Sequence, residues 1–191
     1  MRIMGLRLVG WGLVAVLVDL RLNGFDVLPD VVGWGLVLAG LWALASLAVD
    51  FARARLAALL GLVAAGIELG LFFSEGRYPV AESLAGVVVT TCTLACGWFL
   101  LHGVARRARA VAPGAVERSL VLAHRLLAVF GLLLAGEMVG LVIAMTGREL
   151  NLTLSGPGAL VVVFVGIVLL VVAVQLVLFC FAHADEPWLA A

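Results

Sequence analysis

The sequence predicts an all-α fold, a polytopic integral membrane bundle of six transmembrane helices in three hairpins. Three observations carry that expectation. Of the 191 residues 65% are hydrophobic, with a mean hydropathy of +1.25, whereas an ordinary soluble domain is about half apolar. The excess falls in long blocks, as it does when lipid is the solvent, rather than in interrupted amphipathic patterns. The arginines cluster at alternate ends of those blocks, as the positive-inside rule requires. Formal net charge is zero, from 12 basic and 12 acidic residues, and every basic residue is arginine. That bias, with abundant Ala, Val, Leu and Gly, points to a GC-rich bacterial source. Membrane topology accounts for the arginines, so no nucleic-acid partner is expected; the lipid bilayer is.

The chain reads as a single transmembrane domain with spans at about 5–20, 31–49, 56–73, 83–105, 126–145 and 159–182. In the first, the uninterrupted apolar run from Leu8 to Val18 is shorter than the roughly 20 residues a span needs. Arg7 can snorkel to lengthen it; the alternative is a helix lying in the interface. No small-x-small cleavage site follows it, which argues against a signal peptide. One spacing favours a span. Arg7-Leu8 precedes Asp19 as Arg125-Leu126 precedes Glu137, and Arg55-Leu56 precedes Glu68 with one residue more.

Asn23-Gly24 is a turn signal. Asp26 and Asp30 suit the positive end of the second helix, and Pro29 fits its first turn. The stretch Asn23-Gly24-x-Asp26-x-Leu28-Pro29-Asp30-x-x-Gly33 resembles a signature of small, uncharacterised multi-span membrane proteins of Gram-positive bacteria. The resemblance covers about residues 7–45. It implies a multi-span membrane protein and supplies no activity.

Residues 50–55 read as a tight charged loop before the third span. Residues 74–82 read as a polar loop, 110–119 as the longest basic connection, and 148–158 as a polar loop before the almost wholly aliphatic sixth span, whose polar exception is Gln175. Six crossings put both termini on one side. With that side cytoplasmic, Arg2, Arg7, Arg53, Arg55, Arg106, Arg107, Arg109, Arg118 and Arg125 lie inside and only Arg21, Arg77 and Arg148 outside. The expected location is therefore the cell membrane, with N- and C-termini cytoplasmic.

Residues 55–70 recur as residues 125–140 with eight of sixteen positions identical, among them Arg55/Arg125, Gly61/Gly131, Gly66/Gly136 and Gly70/Gly140. This predicts an internal repeat in which spans 3–4 superpose on spans 5–6. Gly66-x-x-x-Gly70 and Gly136-x-x-x-Gly140 are close-packing motifs, which serve contacts within the bundle or with a homo-oligomeric or other membrane-protein partner.

Each copy also carries a carboxylate within the apolar stretch, Glu68 and Glu137. Intramembrane acids are costly and mark either a pathway or a structural partner. At about 1.5 Å per residue, Thr90 and Thr91 of the antiparallel fourth span reach similar depth, and Asp19 lies near the outer end of the first. The candidate pocket is Glu68, Glu137, Thr90, Thr91 and Asp19. A carboxylate at that depth is expected to hold a proton or to pair with a threonine, a water or a cation.

His102, His124 and His183 all fall at helix ends on the inner side and read as solvated residues rather than a metal site. Cys92, Cys96 and Cys180 read as small buried hydrophobes. No nucleotide-binding glycine loop, nucleophile elbow or zinc-protease motif is present in the sequence, so neither an enzyme nor a cofactor is expected. Two functions fit. The first is a small transporter or ion-coupled carrier using the buried acids. The second is a non-catalytic membrane subunit or scaffold whose acids serve helix packing. A polar cavity lined by Glu68 and Glu137 would favour the first, and one-to-one hydrogen bonds in a dry interior the second.

Overall fold

The computed structural model describes residues 4–17, 21–22, 25–26, 30–72, 79–146 and 157–190. They form α1 (Met4–Leu17), a two-residue ladder of β1 (Arg21–Leu22) with β2 (Phe25–Asp26), α2 (Asp30–Leu44), α3 (Val49–Phe72), α4 (Pro79–Ala108), α5 (Pro113–Met145), α6 (Pro157–Ala182) and the short α7 (Pro187–Ala190). The ladder is antiparallel, with Leu22 opposite Phe25. It brackets the Asn23-Gly24 turn signal, which itself lies outside the described residues. Four helices, α3 to α6, are long and apolar enough to cross a membrane. The helices α1 and α2 are apolar but shorter, at 14 and 15 residues.

Several helices run past the apolar blocks. The charged stretch 50–55, expected as a loop, is the opening of α3; the turn lies at residues 45–47 instead. Asp50 suits that position because the first turn of a helix presents unpaired N–H groups and a positive dipole end. The basic connection expected at 110–119 shrinks to residues 109–112, and α5 begins at Pro113, where the missing N–H costs nothing. Within this extension Ala115, Ser119, Leu122, Ala123 and Leu126 are buried at helical spacing. Their burial, rather than lipid, holds the first turns of α5.

Successive helices pack antiparallel. In α1 and α2 the marker is glycine: a Cβ on Gly12 would stand 2.6 Å from the Gly33 carbonyl oxygen, and one on Gly40 would collide with that of Gly5. The partner number falls from 40 to 33 as the α1 number rises from 5 to 12, so the two backbones cross at close range twice, seven residues apart. Elsewhere a glycine makes room for one large side chain. Gly61 of α3 receives the Trp34 indole, Gly103 of α4 receives the Phe51 ring, and Gly97 of α4 receives Leu126. Trp34, Phe51 and Leu126 are fully buried. The helix α6 closes the order by packing on both α5 and α1. There Trp11 meets the edge of Phe181 at 5.4 Å, and Arg7 reaches Asp185 at 2.6 Å.

Burial is uneven along the helices. Among the described residues of α3 none beyond Ala65 is buried, of α5 none beyond Phe130, and of α6 none before Val172. The packed half is the one holding the α2–α3 and α4–α5 turns. The other half exposes Ile67, Val139, Val142, Phe164 and Ile167, an apolar surface of the kind lipid covers.

Candidate functional site

The acid on α5 finds the hydroxyl on α4. Thr90 Oγ1 donates to Glu137 Oε1 at 2.8 Å. Antiparallel packing of α4 on α5 sets this pair. Leu126 seats against Gly97, and from there α5 runs toward Glu137 as α4 runs back toward Thr90. Thr90 is buried, Glu137 half-buried, and Glu137 Oε2 is sealed from solvent without a hydrogen-bond partner among the described groups.

Of the other expected members of the pocket, Thr91 turns away from this contact. Thr91 is exposed and spends its hydroxyl on the Val87 carbonyl of its own helix. A residue adjacent to Thr90 points about 100° away around the helix, so the two threonines cannot share one partner on α5. Thr93 likewise donates to the Val89 carbonyl. Glu68 is half-buried on α3 and engaged with other groups. Asp19 lies outside the described residues. The helices α3 and α5 both pack along α4, which separates the two stretches of the proposed repeat.

The glycine motifs, expected to serve contacts within the bundle or with a partner, find none within the bundle among the described residues. A Cβ on Gly66, Gly70, Gly136 or Gly140 would meet no atom of the described residues within 4 Å. The reason is the uneven burial: all four lie in the thinly packed half of α3 and α5 and turn away from the helices described beside them. The matched pair Gly61 and Gly131 also differ, since Gly61 abuts Trp34 and Gly131 faces open space.

Three polar contacts escaped the sequence reading. Asp50 is buried and pairs with Arg106, Nε to Oδ2 at 2.8 Å, without hydrogen-bond alignment; Arg53 stands 3.9 Å from its other oxygen. Arg107 donates to the Trp188 carbonyl, which ties α7 to α4. Arg125 donates to Gln175 Oε1 at 3.3 Å, joining α5 to α6. The signal for the last was present, because Gln175 interrupts an aliphatic helix.

Each histidine Nδ1 sits within hydrogen-bond distance of the carbonyl four residues back in its own chain. His183 is buried rather than solvated, stacked on Phe179 at 4.2 Å. His102 and His124 both approach the Trp98 ring. Among the described residues no three His, Cys, Asp or Glu side chains gather as a metal site. The cysteines are free and buried. A cavity of about 310 Å³ lies between α5 and α6, and neither Glu68 nor Glu137 lines it.

No family model, no curated protein and no solved structure matches the chain.

Proposed function

We propose that the chain is a six-span protein of the cell membrane, its termini cytoplasmic, acting as a non-catalytic subunit or scaffold that packs against other membrane proteins. The observation that carries this reading is the one-to-one hydrogen bond from Thr90 to Glu137. It is the arrangement expected of an acid used as helix glue. The glycines at 66, 70, 136 and 140, left without a neighbour, support it from the other side, since such surfaces let a second helix approach closely. The helices α1 and α2 complete the six crossings in this reading. Their antiparallel glycine contacts and the Arg7–Asp185 pair put the start of α1 at the same end as the close of α6.

Crosslinking in native membranes, followed by purification and mass spectrometry, tests the role. A stoichiometric second copy or membrane-protein partner is expected; a chain recovered only as an uncrosslinked monomer overturns it. Topology is tested by introduced cysteines. Those at Ser74 and Ser155 should label from outside, and one at the exposed Ala110 should not. The reverse pattern overturns the orientation.

A second reading, a small proton- or cation-coupled carrier, draws on Glu137 Oε2, a buried oxygen without a hydrogen-bond partner among the described residues. Coupled flux in proteoliposomes, lost in Glu137→Gln while the fold persists, would favour it over the scaffold.

A further inference from the structure

The cavity between α5 and α6 has an apolar wall and a cationic end. Ala128 and Val129 of α5 face Ile167, Val168, Val171 and Val172 of α6, and the groove ends at Arg125 and Gln175. From Ile167 to Gln175 it runs about 12 Å along the helix axis. A groove of this kind on a bilayer-facing surface fills with hydrocarbon, since water there would have almost nothing to bond to.

Arg125 is the unusual member. It is exposed, its one described contact is the neutral Gln175, and among the described residues no carboxylate pairs with it. Its guanidinium carries five donors and cannot lose its charge, so most of them remain for a ligand. The Gln175 oxygen accepts from Arg125, which leaves the amide N–H groups pointing elsewhere. The depth also fits. Met145, at the far end of α5, is twenty residues from Arg125. That is about 30 Å, the thickness of a hydrocarbon core, so Arg125 falls at headgroup level when the rest of α5 is immersed.

We infer that the α5–α6 groove binds one anionic phospholipid, with the phosphate held by Arg125 and Gln175 and an acyl chain lying along the valine wall. The charge of Arg125, with no carboxylate beside it among the described residues, selects a net-negative headgroup over a zwitterionic one, because guanidinium matches phosphate geometry. The site is independent of whether the protein is a subunit or a carrier.

Native mass spectrometry of the full chain in mixed micelles tests it, with phosphatidylglycerol and phosphatidylcholine of identical acyl chains as probes. One phosphatidylglycerol should be retained per chain in preference to phosphatidylcholine. Arg125→Gln should reduce that preference about fivefold, the scale of one arginine near an anionic headgroup. Arg118→Gln should leave it unchanged, since Arg118 bonds the Gly114 carbonyl of its own helix. Ala128→Phe, which fills the groove, should lower retention of both lipids, and it decides the matter if Arg125→Gln fails to fold. Equal retention of the two lipids by the unaltered chain overturns the inference. So does an unchanged preference in Arg125→Gln, or full retention in Ala128→Phe.

Discussion

Asp50, at the opening of α3, and Arg106, at the close of α4, form an ion pair of unequal partners: the carboxylate is 5% exposed and the guanidinium side chain 57%. Removing the arginine strands a buried charge, whereas removing the acid frees a solvated one. Arg106→Ala should therefore destabilise the chain by about 1–3 kcal/mol, with Arg53 limiting the loss. Asp50→Asn should cost less. Thermal melting in mild detergent checks the order; a larger loss for Asp50→Asn would contradict it.

The glycine contacts of α1 and α2 give a sharper contrast. Gly12→Ala and Gly33→Ala each drive a methyl group toward a facing backbone, and overpacking of this kind costs about 1–3 kcal/mol. Gly66→Ala and Gly136→Ala meet nothing and should leave the melting of the isolated chain unchanged. If association uses those faces, the same two substitutions should reduce crosslinking to a partner. Equal melting losses at all four positions would contradict the packing described.

Thr90 and Glu137 are suited to a double-mutant cycle. Glu137→Leu should destabilise by about 1–2 kcal/mol through the orphaned threonine and lost packing, and Glu137→Gln should be near neutral because an amide oxygen still accepts. Combined with Thr90→Val, the coupling should be about 0.6 kcal/mol, the average for hydrogen bonds between membrane helices. Additive losses would show that the bond contributes nothing.

The buried thiols report on folding. Cys96 and Cys180 are at most 1% exposed and Cys92 only 6%. A thiol-reactive probe should leave all three unmodified in the folded chain and label them as it melts. Rapid labelling of Cys96 at low temperature would contradict its burial in the folded chain.

The fold was legible where lipid acts as a uniform solvent. Apolar blocks of sufficient length located α3 to α6, because length and hydropathy decide immersion. Helix ends were legible less well. The first turns of α3 and α5 lie beyond the apolar blocks and are held by particular contacts, Asp50 with Arg106 in α3 and the burial of Ala115, Ser119 and Leu122 in α5. The glycines show the same division. A four-residue spacing marks Gly66 and Gly136, yet the glycines that bring two backbones together stand seven apart, Gly5 with Gly12 and Gly33 with Gly40. That pattern is present in the sequence, but its meaning needs the antiparallel pairing of two helices. Of the candidate pocket, depth along the helices brought Thr90 to Glu137 correctly. Depth alone cannot separate Thr90 from Thr91, because rotation about the axis decides which one faces α5.

The seam between α1 and α6 has a consequence for biogenesis. Its contacts join residues as far apart as Arg7 and Asp185, so α1 can bury one side on α2 early in synthesis but must wait for α6 to cover the other. At about 5–20 residues per second, that interval is on the order of ten seconds. Through it the Gly10 face of a nascent α1–α2 pair, later covered by Phe181, stays available to any hydrophobic surface at the insertion site.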